Sequence, residues 1–155
     1  MKFRILTVGK IENKNLKETC DLYVKRITHY IPIELQFVRS EKISRLSENE
    51  IKSNEAKRLV QKLSKKDYVI ALDKEGVGYS SEEFARFIGN KISQSSKTIS
   101  FIIGGPLGLG EELLQTSQMK LSLSKMTFAH ELTAVILLEQ LYRGMTILRG
   151  GKYHK

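Results

Sequence analysis

Apolar residues recur along this chain with two spacings, about every second residue in short runs and about every 3.6 residues in longer ones. The short runs predict strands and the longer amphipathic stretches predict helices, and the two kinds of segment alternate strictly. The predicted strands are 3–8, 33–38, 67–73, 98–103 and 119–123, and the predicted helices are 15–30, 50–63, one carrying Phe84 to Ile92, 110–117 and 130–148. Such alternation predicts the α/β class, with a mostly parallel sheet and helices on both of its faces.

The length and composition are those of one globular domain. The chain has 155 residues, of which 41% are hydrophobic and 28% charged, and it shows no internal repeat or linker, so we expect a single domain over 1–155. No segment approaches the roughly 20 consecutive apolar residues that a membrane helix needs. The single cysteine, Cys20, occupies an apolar position of the first helix, which favours core packing over a reactive thiol. These features fit a cytoplasmic protein without a membrane partner.

Basic residues outnumber acidic ones, and they are unevenly distributed. The net charge is +9, and residues 1–70 hold 16 Lys and Arg against 9 Asp and Glu, whereas residues 71–120 hold 5 against 6. No acidic residue follows Glu139, so the C-terminal tail is also basic. A surface of this kind attracts a polyanion such as RNA, although charges on exposed helix faces also serve solubility alone.

A glycine-rich turn follows the predicted strand 98–103. Four glycines lie within 104–110, and glycine allows a positive φ and a close approach of the backbone to a ligand. Ligands of open α/β sheets bind at the carboxyl ends of strands, so this turn, Asp73 and the segment 123–127 are candidates for one small-molecule site. Neither Gly-x-Gly-x-x-Gly nor a Gly-Lys-Ser/Thr phosphate loop occurs. A turn that merely requires glycine is the alternative.

Metal and serine chemistry find little support in the sequence. The three histidines, His29, His130 and His154, and the one cysteine lack the spacing of metal ligands, so we expect no metal. A serine nucleophile is disfavoured because no Gly-x-Ser-x-Gly elbow occurs.

Candidate substrate-binding groups lie on the last helix and in the tail, and we expect them beside the strand-end loops. His130 begins this helix, and Tyr142 and Arg143 follow near its end, where a guanidinium can bind a phosphate or carboxylate through two hydrogen bonds. Tyrosine and histidine can stack on a base and lysine can contact phosphate; the tail residues of these types are Lys152, Tyr153, His154 and Lys155. Helix packing for His130 and a helix-dipole contact for Arg143 are the simpler interpretations.

Several segments together carry a resemblance to a known family. They are Ile102-Ile103-Gly104-Gly105-Pro106-x-Gly108-Leu109, the stretch 121–130 that ends in His130, Glu139-Gln140-Leu141-Tyr142-Arg143, and Tyr153-His154-Lys155. Supporting matches are Val8-Gly9-Lys10 and Ile70-Ala71-Leu72-Asp73. Over its whole length the chain resembles the RlmH family, which consists of SPOUT-class methyltransferases acting on a pseudouridine of large-subunit ribosomal RNA.

The resemblance implies a fold, a cofactor and a partner. The C-terminal part of the α/β sheet is expected to be threaded into a trefoil knot, which is too rare to be proposed from physical arguments. S-adenosylmethionine is the expected cofactor, and a homodimer with the tail of one subunit near the cofactor site of the other is the expected assembly. The assembled ribosome is the expected substrate, with N3-methylpseudouridine in 23S ribosomal RNA as the product. The implied cofactor contacts are Leu72, Gly104, Leu123, Ser124, Lys125, Met126, Thr127 and Phe128, and the candidate substrate contacts are His130, Tyr142, Arg143, Lys152, Tyr153 and His154.

The implied reaction assigns chemical roles to two of these residues. Methyl transfer from a sulfonium mainly requires alignment of the acceptor nitrogen with the methyl group. The imide proton at N3 must also leave, so His154 is the candidate base or positioning group and Arg143 the candidate stabiliser of the developing anion. One position departs from the family pattern, because the arginine that commonly follows the family's histidine by four residues is Ala134 here. Either that charge is dispensable or Lys125 or Arg143 supplies it.

Two other functions stay open at this point. A ribosome-binding or RNA-binding protein of the same fold without turnover is consistent with the missing arginine. A protein that binds another nucleotide, such as a flavin, is consistent with the α/β pattern, although the dinucleotide fingerprint is absent. Binding of S-adenosylmethionine separates the first two functions from the third, and methyl incorporation separates the enzyme from the binding protein.

Overall fold

One parallel sheet forms the centre of the molecule. The computed structural model describes residues 1–42, 46–94 and 98–154. Its strands are β1 (Lys2–Val8), β2 (Ile33–Val38), β3 (Tyr68–Gly78), β4 (Thr98–Ile103) and β5 (Met119–Ser122). They pair in parallel in the order β2-β1-β4-β3-β5. The predicted parallel α/β architecture is confirmed.

Helices connect the strands, and local signals in the sequence start them. The helices are α1 (Lys14–Thr28), α2 (Glu48–Lys62), α3 (Ser81–Gln94), α4 (Glu111–Thr116) and α5 (His130–Leu148). Asn13 caps α1 by accepting a hydrogen bond from the N–H of Leu16 at 3.1 Å. Ser47 and Glu50 form a reciprocal capping box at the start of α2. These caps place the helix starts one or two residues before the predicted bounds.

Side chains of the strands alternate between two hydrophobic cores, one on each face of the sheet. Along β1, Phe3 and Ile5 belong to the core under α1, α3 and α5, whereas Leu6 and Val8 belong to the core under α2 and α4. Successive side chains of a strand point to opposite faces, so apolar residues at successive positions indicate that helices cover both faces of the sheet. The helix α5 packs against both α1 and α3, so it lies at the centre of its layer.

The third strand is longer than its sequence pattern indicates. The apolar run predicts an end at Asp73, and this boundary is wrong because β3 continues to Gly78. The strand bends between Leu72 and Val77 and pairs with Leu121 of β5 on both sides of the bend. A Cβ at Gly76 would lie 2.6 Å from the carbonyl carbon of Lys120. Glycine is therefore required here for a close backbone approach within the sheet, and not for a turn after it.

Cys20 lies in the core, as its position in the helical pattern predicts. Its side chain is fully buried between α1 and the sheet. Burial, with smaller contributions from Asp21 and Glu131, raises the pKa of its thiol to about 11. The thiol is therefore a packing group at neutral pH.

Across the three described ranges, no helix is both long and apolar enough to cross a membrane. The threading of the C-terminal segment into a knot stays a prediction.

Candidate cofactor pocket and tail cluster

A cavity of about 680 Å³ opens at the carboxyl edge of the sheet. Leu72 of β3, Ile103 of β4 and Leu121 of β5 contribute apolar surface to it from three neighbouring strands. Its size is within the range of roughly 300–1,000 Å³ that is typical of small-molecule sites. The strand ends that the sequence analysis singled out therefore surround one cavity, which we call the pocket.

The turn after β4 forms one wall of the pocket through its backbone. A Cβ at Gly104 would lie 2.7 Å from the carbonyl carbon of Gly108. Gly108 itself has a φ of +80°, and its N–H donates to the carbonyl of Gly105 at 2.9 Å. This part of the chain thus folds back on itself, and Gly104 and Gly108 line the pocket next to Leu107 and Leu109.

The connection between β5 and α5 forms another wall. Met126 donates its N–H to Ser124 Oγ at 3.0 Å, and Ser122 Oγ donates to the carbonyl of Ser124 at 3.0 Å. These local bonds fix a tight loop. The residues of this loop that line the pocket are Leu123, Ser124, Met126, Thr127 and Phe128. Lys125 is exposed and is not among the lining residues.

Charged groups of both signs stand around the pocket. Asp73 and Glu111 contribute carboxylates, and Lys52 and Lys74 contribute ammonium groups. Asp73 Oδ1 accepts the N–H of Glu75 at 2.8 Å, which orients the carboxylate. Apolar surface and opposite charges together suit a ligand that has an apolar part and carries both a positive and a negative group.

His130 lies between the pocket and a smaller neighbouring cavity. Its side chain lines both spaces, the second of which has a volume of about 260 Å³ and also contacts Gly9. The His130 Nε2 atom is buried and has no hydrogen-bond partner within the described residues. Gly9 lies against this ring, and its φ of +84° is what favours glycine there, since a Cβ would make only an ordinary contact of 3.5 Å with Nε2. His130 thus combines helix packing with access to ligand space.

The C-terminal tail turns back onto α5. Gly150 adopts a φ of +66° just after the helix, and the N–H of Gly151 donates to the carbonyl of Thr146 at 2.8 Å. This arrangement is a glycine C-cap, which ends the helix. Tyr153 then packs edge-on against Tyr142, with ring centroids 4.8 Å apart. The last residues that the structure describes therefore lie along the helix that precedes them, and Lys155 lies outside the described residues.

Arg143 is the centre of a hydrogen-bonded group that we call the tail cluster, made of Glu139, Arg143, Tyr153 and His154. The Arg143 Nε and Nη2 atoms donate to Glu139 Oε1 at 3.0 and 2.6 Å. The Tyr153 hydroxyl donates to the same oxygen at 3.1 Å, and the Arg143 guanidinium carbon lies 4.8 Å from the centroid of the Tyr153 ring. The remaining guanidinium nitrogen, Nη1, lies 3.3 Å from Nδ1 of His154. One carboxylate thus organises an arginine and a tyrosine around a histidine.

The protonation states of the tail cluster follow from these contacts. The hydrogen bonds with Glu139 raise the pKa of Arg143. The hydrogen bond with Tyr23, followed by burial and by the charge of Glu139, raises the pKa of Tyr153. Both groups therefore keep their protons at neutral pH and act as hydrogen-bond donors.

The helix α5 separates the pocket from the tail cluster. His130 is its first residue, and Arg143 follows thirteen positions later, which at about 1.5 Å per residue is roughly 20 Å along the axis. The residues that line the pocket include neither Arg143 nor Tyr142, and none of the tail residues 152–154. Within one chain the expected position of Arg143 and the tail beside the strand-end loops is therefore wrong, because a straight helix holds them apart.

Two residues around the tail cluster were not predicted from the sequence. Glu82 of α3 lies 72 positions before His154, and no local pattern connects residues so far apart. Glu139 lies in a family-like segment but received no role, although its spacing of four residues to Arg143 is the usual spacing of a helical ion pair.

The alanine at position 134 is explained by packing. Its side chain is fully buried and belongs to the core beneath α5. An arginine at this position of this chain would place a charge in an apolar environment without a partner. Lys125 is exposed and Arg143 lies about two and a half helical turns further on, so neither occupies the place of the missing guanidinium.

The fold and the pocket define a class, an open parallel α/β protein with a small-molecule site across its strand ends. Comparison with known proteins narrows this class. A family model described as "Predicted SPOUT methyltransferase" matches residues 1–154. The ribosomal RNA large subunit methyltransferase H of Clostridium botulinum is 43% identical over 159 residues, and its counterpart of the same name from Acetivibrio thermocellus is 42% identical over 159 residues. Both alignments cover 100% of both proteins.

A more distant relative and a solved structure agree with this assignment. A protein of the same name from Flavobacterium johnsoniae is 39% identical over 155 residues and is covered to 99%, as is this chain. A probable methylase family protein from Haemophilus influenzae shares the fold at a TM-score of 0.56 and 13% identity, over 99% of this chain and 70% of its own. The chain belongs to the SPOUT methyltransferase family.

Proposed function

We propose that this chain transfers the methyl group of S-adenosylmethionine to N3 of a pseudouridine in the 23S ribosomal RNA of the assembled ribosome, and that it works in the cytoplasm as a homodimer. The relatives named above carry the ribosomal RNA part of this proposal. The observation that carries the chemical part is the pocket, which a glycine-rich turn and the carboxyl ends of three parallel strands line together.

The residues of the pocket fit S-adenosylmethionine. This cofactor supplies, when bound, an electrophilic methyl group on a positively charged sulfur. Gly104 is half-buried and Gly108 is exposed, both line the pocket, and peptide groups can pair with the edge of an adenine ring. Leu72 and Leu123 offer apolar contacts, and the Asp73 carboxylate offers a favourable charge for a cationic group. These residues bind and orient the donor, and positioning is the main requirement of this reaction.

The tail cluster supplies the groups that the acceptor base needs. The N3 imide of a pseudouridine loses a proton during methylation, and negative charge develops on the ring. Arg143 keeps its positive charge and can stabilise that anion. His154 has a ring nitrogen that can accept the proton or hold the imide in place. Tyr153 is 37% exposed and offers a ring on which a base can stack.

A second copy of the chain would bring the two halves of this machinery together. The pocket and the tail cluster lie roughly 20 Å apart along α5, a distance that no side chain spans. The same helix exposes apolar surface near its start, with Leu132 at 39% exposure and Val135 and Ile136 only partly buried. Two copies that pack through such a face in opposite directions would place the tail of each beside the pocket of the other.

The charge of the chain supports an RNA substrate. The excess of +9 lies mainly in residues 1–70 and in the tail. An excess of this size on a small domain favours association with a polyphosphate, with a steep dependence on salt. It does not select one nucleotide, so the selection of a single pseudouridine would depend on the shape of the ribosome around it.

The test uses purified protein, S-adenosylmethionine labelled in its methyl group, and ribosomes from cells that lack the modification. The proposal expects label in one pseudouridine of the large-subunit RNA, and more label from assembled ribosomes than from separated subunits. Cofactor binding by calorimetry without any incorporated label would show a binding protein that does not turn over. If His154→Ala and Arg143→Ala both keep the wild-type single-turnover rate on saturating ribosomes, the roles given to these residues are wrong.

A further inference from the structure

The tail cluster reaches beyond α5 through two contacts, the Tyr153 hydroxyl at 3.4 Å from the Tyr23 hydroxyl of α1 and the His154 ring beside α3. Glu139, Arg143 and Tyr142, which hold the tail residues, all belong to α5 itself. His154 in addition places its Nε2 atom 2.8 Å from Oε1 of Glu82, at the beginning of α3. Glu82 therefore connects the end of the chain to a second helix, α3, which packs against α5.

The two contacts of His154 select one tautomer of its neutral ring. The Arg143 guanidinium can only donate hydrogen bonds, so the Nδ1 atom that faces it must carry the lone pair. A carboxylate can only accept, so the Nε2 atom that faces Glu82 must carry the proton. Glu82 thus determines both the rotation of the ring and which nitrogen carries the lone pair.

Glu82 is suited to this task because it stays ionised. Its own backbone N–H at the start of α3, the imidazole of His154 and the hydroxyl of Ser80 together lower its pKa to about 2. The carboxylate is therefore an acceptor throughout the neutral range. The neighbouring Glu83 has a different function, since it accepts the N–H of Ser80 at 2.7 Å and caps the helix.

We propose that Glu82 is a positioning residue for His154: it orients the imidazole, with the proton on Nε2, so that Nδ1 faces Arg143 and the acceptor base. This inference rests on the proposed function, in which His154 acts at the imide of the pseudouridine. Asp and Glu commonly orient a catalytic histidine in this way, as in the hydrolase triads, where loss of the carboxylate leaves the wrong tautomer. Here the carboxylate comes from a helix that contributes neither to the pocket nor to the rest of the tail cluster.

The experiment compares Glu82→Ala with Glu83→Ala in single-turnover methyl transfer at saturating cofactor and ribosomes. Glu83→Ala is the matched control, because it removes a carboxylate from the same helical turn without a contact to the tail. We expect Glu82→Ala to lower the rate about tenfold, less than the roughly 100-fold or more typical of losing a general acid or base. The ribosome concentration for half-maximal rate should be unchanged, and Glu82→Gln, which keeps an accepting oxygen, should recover part of the loss.

A double-mutant cycle separates positioning from a general effect on structure. In the His154→Ala background, Glu82→Ala should cause no further loss, because the group it positions is gone. Nitrogen chemical shifts of the imidazole should show the proton on Nε2 in the wild type and a mixture of tautomers in Glu82→Ala. Equal losses in both backgrounds, or an unchanged tautomer, would overturn the inference and leave the proposed function intact. A wild-type protein that binds the cofactor but methylates no ribosome would overturn both.

Discussion

His130 and Arg143 lie on the same helix, thirteen residues apart, and each belongs to a different half of the site. His130 lines the pocket at the carboxyl edge of the sheet, and Arg143 holds the tail beside the other end of α5. The helix keeps these two halves roughly 20 Å apart within one chain. Under the proposed function a second copy completes the site, and this relationship determines how the variants below should behave.

The glycine at position 104 is expected to be essential for cofactor binding. Gly104→Ala places a Cβ 2.7 Å from the carbonyl carbon of Gly108, so the turn must open and the pocket wall must move. We expect the affinity for S-adenosylmethionine, measured by calorimetry, to fall at least about tenfold, or about 1.4 kcal/mol. Gly78→Ala is the control, because a Cβ there meets nothing within 4 Å. Equal affinities of the two variants would mean that this turn is not part of the cofactor site.

The glycine at position 150 is expected to matter for methyl transfer and not for cofactor binding. Gly150 has a φ of +66°, which costs an alanine about 1–2 kcal/mol, so Gly150→Ala should release the tail from α5. The single-turnover rate on ribosomes should fall while the cofactor affinity stays at the wild-type value. Gly144→Ala, at a helical position with ordinary contacts to Ala85, should keep the rate and gain up to about 1 kcal/mol of stability. If Gly150→Ala also lost cofactor binding, the pocket and the tail cluster would not be two separate halves of the site.

The elements of this fold are readable from the sequence because their patterns are local. The run 98–103 is mostly apolar, since β4 lies between two strands and under helices on both faces, and its bounds are predicted correctly. The long helix 130–148 is likewise predicted correctly from its apolar length. The predicted end of β3 is wrong because Gly76 resembles a turn residue. In the structure Gly76 allows the close approach of β5, which follows it by more than 40 residues.

Only part of the candidate site could be predicted from the sequence. The cofactor residues from 123 to 128 and Gly104 follow from the family resemblance, and all of them except Lys125 line the pocket. The contact of Glu82 with His154 joins positions 72 residues apart and depends on how α3 packs against α5. Such a contact is a property of the tertiary structure, so no pattern in the sequence contains it.

Arginine at position 143 should not be replaceable by lysine. Two of its nitrogens donate to Glu139 Oε1 while a third faces His154, and an ammonium group cannot reproduce this planar arrangement. Arg143→Lys should lower the single-turnover rate at least about tenfold, or about 1.4 kcal/mol in activation free energy, with unchanged cofactor affinity. The control is the same substitution at the exposed Arg149, and Arg149→Lys should behave as wild type. Full activity of Arg143→Lys would mean that Arg143 contributes only its positive charge and not its hydrogen-bond geometry.

The thiol of Cys20 gives a prediction for stability at alkaline pH. Its pKa is raised from 9.0 to about 11 in the folded protein, so between these values the unfolded chain releases a proton that the folded chain retains. This contribution to the free energy of unfolding is fully present below pH 9 and is lost as the pH rises toward 11, by at most about 1.4 kcal/mol per pH unit. Denaturant titrations at several pH values should show a steeper decline for the wild type than for Cys20→Ala. Identical slopes would contradict the assigned burial of the thiol.

The most direct test of this account mixes two inactive subunits. Gly104→Ala and His154→Ala chains, carrying different affinity tags, are expressed together, and the heterodimer is purified after its folding has been checked by circular dichroism. If pocket and tail act across the two copies of a symmetric dimer, one of the two sites is intact, and the heterodimer should regain about half of the wild-type rate while each homodimer stays inactive. A heterodimer as inactive as its parents would contradict the account, because it would mean that the tail acts on the pocket of its own chain.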